Sequence, residues 1–400
     1  MVDPNVDNEY SSMQRAPVLD FTSSLYLGVE HAWQSLRWEK LTLGKPAALD
    51  SVPGTRPVER ELAALTGCER VLLGPSTLHL FLDLFGFLAR RGVSIFLDAG
   101  SYPIARWGVE RAAGCGTPVR VFRQHDHHAL RSLLKSAAGK PVVVADGYSP
   151  SHGSSAPVAA YLECVKPLGG LLVIDDTQAL GIFGHSQSTE QPYGKGGGGS
   201  LRRAGLRDGQ VVVVSSLAKG FGAPLAMLGG SEDVIAAFEF ESATRMHCSP
   251  PSAAVVAAAS HALAVNRRYG EALRRQLAQR VAHFRLRLRD LNVIATEGLF
   301  PVQSLRMPEN IDPVALHQAL FARGVQTVLH RSTNGADLRI SFIVTTKHRA
   351  GDIDWAAVSL ADAMVQVASN EKSEALFTTP PATRGGAPSE NIIRLENACT

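Results

Sequence analysis

The chain has 400 residues, 45% of them hydrophobic, enough for a large core and two domains. Its 40 Lys and Arg against 37 Asp and Glu leave a formal charge of +3 with no long basic block, so charge makes no case for a nucleic-acid partner. The five cysteines (Cys68, Cys115, Cys164, Cys248, Cys399) are scattered without a CxxC pair, which suits a reducing compartment and argues against a disulfide framework or a zinc site.

In chain order, "MVDPNVDNEYSSMQRAPVLD" is acidic and polar and does not read as a signal peptide. The apolar runs stop short of membrane-spanning length. A soluble cytoplasmic protein with no membrane partner is expected. Residues 1–17 read as loose chain, and "FTSSLYLG" (21–28) as a short extended piece near a surface or subunit contact. "PVERELAALTG" (57–67) has helical spacing, with Pro57 near its start and Gly67 as its stop. "RVLLGPSTLHLFLDLFGFLARRG" (70–92) reads as strand, Gly-Pro turn and apolar helix. "VSIFLDAGSYP", "PVRVFRQHD", "PVVVADGYSPSHG", "GLLVIDDTQALG" and "QVVVVSSLAKG" are further apolar runs, each ending in polar or acidic residues. Continuous rather than alternating strands, separated by helices, indicate an α/β protein whose mostly parallel sheet is covered on both faces.

"SQSTEQPYGKGGGGSLRRAG" (186–205) interrupts this pattern, and Gly196 to Gly199 read as a mobile surface loop. Residues 249–291 are strongly helical and lead to the strands and helices of a smaller α+β domain. The expected organisation is an N-terminal segment (1–45), a large domain (46–270), a small C-terminal domain (271–370) and a disordered tail (371–400).

Ligand chemistry in such sheets sits beyond the carboxyl ends of the strands. Those ends are Asp98, Asp146, Asp175 with Asp176, and Ser215 with Ser216. Lys219 follows the last of these runs and precedes "GFG". A surface lysine after a strand is the plain reading. The sharper one is a Schiff base with pyridoxal 5′-phosphate, since a lysine that loses hydration has a lowered pKa and a nucleophilic amine. Asp175 ends the preceding strand run, where an anion would keep a pyridine nitrogen protonated and make the ring an electron sink. Asp176 is left as a helix cap or a support for Asp175. Ser76 and Thr77 stand where an apolar helix begins and can meet a phosphate, as can Ser216; Ser249 and Ser252 flank "PP" at another helix start. Each of these serines would also serve as a simple N-cap. Tyr102 can stack on the cofactor ring. His152 and Gln178 are candidate contacts to the ring hydroxyl or the substrate. "HDHH" (125–128) reads as a polar loop and helix cap, and no metal is expected.

These segments, in this order over about residues 20–365, resemble the α-oxoamine synthases, pyridoxal-phosphate enzymes of the aspartate-aminotransferase-like fold (fold type I). The likeness runs from "FTSSLYLG" through "LLVIDDTQALGIFG" and "SSLAKGFG" to "LRISFIVTTKHRAGDID". It implies Lys219 as the Schiff-base lysine, Asp175 as the pyridinium partner, Ser216 as a phosphate contact, and Ser76 and Thr77 in the phosphate turn. It implies Ser149 in a "GVFSMDG"-like segment among the cofactor contacts, Arg339 as the holder of the amino-acid carboxylate, and a homodimer. Three positions depart from the family: Tyr102 and Gln178 stand where it has histidines, and His152 where it has an aspartate. The implied reaction is condensation of a small α-amino acid with an acyl thioester. An aminotransferase on the same scaffold and a homologue without turnover are the alternatives.

Overall fold

The computed structural model describes residues 18–36, 38–331 and 337–377. Its main sheet has seven strands: β1 (Arg70–Gly74), β2 (Ser94–Asp98), β3 (Val119–Phe122), β4 (Pro141–Asp146), β5 (Leu171–Asp175), β6 (Val211–Ser216) and β7 (Ala226–Gly230). In space they run β1-β7-β6-β5-β4-β2-β3. The row from β3 to β6 is parallel, and β7 is antiparallel to both of its neighbours.

The valine-rich runs are continuous because both faces of the sheet are buried. Val143, Ala145, Leu172, Ile174, Val211 and Val213 point into one core, while Val142, Val144, Val173, Val212 and Val214 point into the other. Successive side chains of a strand alternate between faces, so a strand covered on both sides needs apolar residues at every position. Helices α1 (Thr55–Thr66), α2 (Thr77–Ala89), α3 (Pro103–Gly114), α4 (His127–Leu134) and α5 (Val158–Val165) accompany the first five strands. Gly67 ends α1 in the left-handed region at φ 88°, where glycine carries no Cβ penalty. Asp126 caps α4 by accepting from Ala129 N–H at 2.8 Å, so "HDHH" is the loop and cap expected. Among the described residues there is no cluster of three or more metal-ligating side chains.

The short helices α6 (Ser200–Arg203), α7 (Glu232–Glu241) and α8 (Ala243–His247) precede α9 (Ala253–Asp290), one continuous helix of 38 residues. A second, antiparallel sheet follows, with β8 (Ile294–Ala295), β9 (Val302–Arg306), β10 (Val328–Arg331) and β11 (Leu338–Ile343) in the order β8-β9-β11-β10. Helix α10 (Pro313–Ala322) packs on this sheet and on α11 (Ala350–Phe377), which in turn packs on α9.

Three expectations need correction. Gly196 to Gly199 do not form a free surface loop. Gly197, Gly198 and Gly199 are buried, Gly181 N–H donates to Gly197 O at 2.8 Å, and Gly196 N–H donates to Glu271 at 2.7 Å. Glycine is needed there for close approach: Gly199 has φ 86°, and a Cβ on it would collide with the Asp176 carboxylate. In "FTSSLYLG", expected as a short extended piece near a surface or subunit contact, Phe21, Tyr26 and Leu27 are buried within the chain. Phe21 packs against Phe342 of the second sheet, and Tyr26 against Phe300, just before β9. Finally, α11 carries helix through residue 377, past the expected start of the tail. Residues 1–17 and the rest of the tail lie outside the described residues.

Candidate active site

The carboxyl ends of the parallel strands converge. Asp146 and Asp175 are paired in register on β4 and β5; Asp175 is buried and Asp146 is half-buried. Burial pushes both carboxyls up, and for Asp146 the neighbouring Asp175 adds to the effect. Two like charges on adjacent strands, away from water, have few ways to stay ionised. Thr177 N–H donates to Asp175 Oδ1 at 3.0 Å, and Lys219 offers a favourable charge; Asp175 has no ion pair among the described residues.

Lys219 sits on the turn that leaves β6, the strand next to β5. That turn is tightly knit. Ala218 N–H donates to Ser216 Oγ at 3.2 Å, and the N–H groups of Phe221 and Ala223 both donate to Leu217 O at 3.2 Å. Thr177 Oγ1 accepts from Ser216 N–H at 3.1 Å, which clasps the ends of β5 and β6 together. The Lys219 amine forms no hydrogen bond or ion pair with a described residue. Burial pulls its pKa down, against the opposing pull of Asp175 and Asp146. An amine so placed carries a larger neutral fraction than a surface lysine.

Tyr102 lies immediately before α3, and its N–H donates to Asp146 Oδ1 at 3.0 Å. Burial pushes its phenol up, followed by Asp175 and Asp146, so its ring overlooks the same carboxylates. It is nonetheless 46% exposed, with a face open to the cleft. Gln178 follows Thr177, and its Oε1 accepts from the Tyr26 hydroxyl at 2.7 Å. Ser76 is the N-cap of α2, accepting from His79 N–H at 3.4 Å, and Thr77 is the first residue of that helix. Gly74 pairs with Ala226 and Ala226 with Ser216, so the Ser76 turn and Ser216 share one edge of the sheet, two strands apart.

Ser149 is buried in the short hairpin after β4, within 3.2 Å of His152 Nδ1. Burial and then the nearby Arg339 guanidinium push the His152 imidazole pKa down. Arg339 reaches this hairpin from β11 and has no ion pair among the described residues. Lys219, Asp175, Tyr102 and Ser216 thus lie together at the carboxyl ends of neighbouring strands, with Gln178 three residues beyond Asp175. Ser76 and Thr77 flank them on one side, and the His152–Arg339 pair forms a separate group with no hydrogen bond to Lys219 or Asp175. Asp176 turns away from the cleft. Its Oδ2 accepts from Ser200 N–H at 2.9 Å, capping α6 rather than the stretch that follows it, and burial pushes its carboxyl up to about 7. Ser252 precedes α9 without a side-chain cap bond, and exposed Ser249 lies near Gly74 and Pro75.

Two residues here, Thr177 and Tyr26, escape a reading of the sequence, and Asp146 is named there as a strand end without its partner. Thr177 was visible only as the small polar residue inside "DDTQ". Asp146 is a strand-end aspartate like Asp175, but its register partner is fixed only by the sheet order. Tyr26 lies 152 residues from Gln178 and carries no local signal.

The profile of the family described as aminotransferase class I and II matches residues 30–350. The chain is 26% identical to an 8-amino-7-oxononanoate synthase of Alcanivorax borkumensis over 77% of each chain. It is 27% identical to one of Pseudomonas aeruginosa over 90% of this chain and 88% of that one. Among solved structures, serine palmitoyltransferase of Sphingomonas wittichii superposes with a TM-score of 0.73 at 18% identity, covering 87% of each chain. The 8-amino-7-oxononanoate synthase of Francisella tularensis gives 0.65 at 16% identity, covering 90% of this chain and 99% of that one. The structural likeness establishes the aspartate-aminotransferase-like fold, with its large sheet domain and smaller C-terminal α+β domain. On this fold and this profile match, the chain belongs to the aminotransferase class I and II family, in its α-oxoamine-synthase-like group.

Proposed function

We propose that the protein is a pyridoxal-phosphate-dependent acyltransferase that condenses a small α-amino acid with an acyl thioester. The observation that carries the reading is the unpaired Lys219 amine beside the buried Asp175 and half-buried Asp146 carboxyls on neighbouring strand ends. The residues present fit the cofactor. A protonated pyridine nitrogen would supply the positive charge that Asp175 lacks, and the amine meets an aldehyde as a nucleophile. When bound, the cofactor withdraws electrons from the substrate's α-carbon.

This chain's own residues do the rest. Lys219 Nζ holds the cofactor and then carries the proton taken from the α-carbon. Asp175 keeps a negative charge at the ring nitrogen. The start of α2 offers N–H groups to the phosphate, joined by the Ser76 and Thr77 hydroxyls and by Ser216. Tyr102 would stack on the ring, Gln178 would meet the ring oxygen, and Ser149 would be a further contact to the cofactor. Arg339 takes the substrate carboxylate as a two-pronged donor, with His152 beside it. The similarity to 8-amino-7-oxononanoate synthases supports acyl transfer over amino transfer.

The reading includes a homodimer. Trp33, Leu49 and Phe240 are 73%, 75% and 86% exposed, and a two-fold contact with a second copy is where the reading expects such side chains to be covered. The turn at 247–252 would reach toward the neighbour's cleft. The four described cysteines are unpaired, in keeping with a cytoplasmic enzyme. No helix among the described residues is long and apolar enough to cross a membrane.

The test is a screen of amino acids for a change in the cofactor's visible band, followed by acyl-CoAs with a free-thiol assay. The reading expects thiol release that depends on both substrates. Conversion of a 2-oxo acid with every thioester inert would transfer the assignment to an aminotransferase, the reading favoured by the lack of a histidine at positions 102 and 178. Arg339→Ala is expected to raise KM for the amino acid about 10- to 100-fold, the range for losing a hydrogen bond to a charged group. Its cofactor band should match the wild type, and an unchanged KM would remove Arg339 from the substrate site.

A further inference from the structure

We propose that Tyr26 is a positioning residue that fixes which end of the Gln178 amide faces the cofactor ring, making Gln178 a donor to the ring oxygen. This rests on the cofactor reading above.

An amide has two unlike ends, a carbonyl that accepts and an NH2 that donates. The Tyr26 hydroxyl donates to Gln178 Oε1 at 2.7 Å. Tyr26 is 1% exposed, and burial pushes its phenol well above the ordinary value, so the hydroxyl keeps its proton and needs an acceptor. Gln178 Oε1 is the acceptor it has among the described residues. Turning the amide over would leave the buried O–H proton without a partner. Nε2 is the end left over, and it has no partner among the described residues. Gln178 follows Asp175 by three residues and is only partly buried, so Nε2 is free to serve the cleft.

Tyr26 is itself held from three sides. Its N–H donates to Ser24 O at 2.8 Å, and its carbonyl accepts from Thr346 N–H at 3.1 Å. Its ring packs edge-on to Phe300, with centroids 5.6 Å apart. A titrating imidazole could serve either as donor or as acceptor at this place, according to pH. A glutamine locked by Tyr26 donates at every pH. A donor on the ring oxygen stabilises the form in which that oxygen bears its full negative charge, the deprotonated form of the lysine–cofactor linkage. It therefore lowers the pH at which the linkage loses its proton.

The experiment is a pH titration of the visible band in the cofactor-loaded protein, without substrate. Tyr26→Phe and Gln178→Leu should each move the midpoint upward by about half to one pH unit, the size of one net hydrogen bond. The double variant should move it no further than either single one. A Tyr26→Phe midpoint equal to the wild type, with Gln178→Leu shifted, would overturn the proposal and leave Tyr26 as packing alone. Should Tyr26→Phe fail to hold cofactor, Gln178→Met decides, because it removes both the acceptor for Tyr26 and the donor to the ring without adding a charge. A raised midpoint there supports the proposal and an unchanged one overturns it. A wild-type protein with no lysine-linked band sinks the cofactor reading and this proposal together, whereas a normal band with unshifted variants sinks this proposal alone.

Discussion

Lys219→Ala is expected to abolish covalent capture of pyridoxal phosphate and to lower turnover by roughly 10³- to 10⁴-fold, near the upper range for a positioned acid–base group. The lysine is asked to do two things, and the structure supplies a reason for each. Its amine is unpaired and desolvated, with a pKa below that of a surface lysine, so more of it is neutral near pH 7. It also stands on a turn pinned by Ser216, Leu217 and Thr177, so it meets the cofactor without reorganising the loop. Added alkyl amines should restore part of the proton transfer, because the cleft around the missing side chain is otherwise intact. Stopped-flow absorbance and single-turnover rates check both effects. A Lys219→Ala protein that turned over at the wild-type rate would remove the residue from the chemistry.

The second large effect is at Asp175. Asp175→Asn should lower α-proton exchange of a bound amino acid in deuterated water by about 10²- to 10³-fold, a size typical of removing one preorganised electrostatic contact in a closed site. The Thr177 N–H bond to Oδ1 survives the change, so the geometry is preserved while the charge is lost. The same substitution should raise the melting temperature of the cofactor-free protein at neutral pH. Burial raises the folded-state carboxyl above its unfolded value. The folded state is then favoured most at pH below the ordinary carboxylate range, and loses that advantage as pH rises through the raised value. Asparagine carries no such charge. Function and stability thus pull in opposite directions at this position. Unchanged exchange in Asp175→Asn, with a fall in Asp146→Asn, would move the ring contact to β4.

Much of this was legible in the chain because the two-sided sheet leaves a plain mark. Runs such as "VVVV" and "LLVI" cannot alternate when both faces are buried, and each run ends in the polar residue that the cleft uses. Lys219 and Asp175 stand at the ends of successive runs that prove to be neighbouring strands. What was not legible depends on distant partners. Four glycines in a row look like slack chain, yet at Gly199 the missing side chain is what admits the Asp176 carboxylate. "FTSSLYLG" looks like a short extended piece near a surface or subunit contact, yet its Tyr26 is buried and meets Gln178. Asp176 looks equivalent to Asp175, and only its bond to Ser200, 24 residues later, shows that it faces the other way. The meeting of Arg339 with His152 joins the second sheet to the hairpin after β4, a relation no local pattern encodes.

The central claim is that Lys219, on the turn after β6, carries pyridoxal phosphate. Borohydride reduction of the protein loaded with the cofactor, followed by digestion and mass mapping, tests it most directly. The account predicts loss of the visible band and a single reduced pyridoxyl adduct, on the peptide containing Lys219. No adduct, or an adduct confined to other lysines, would contradict it.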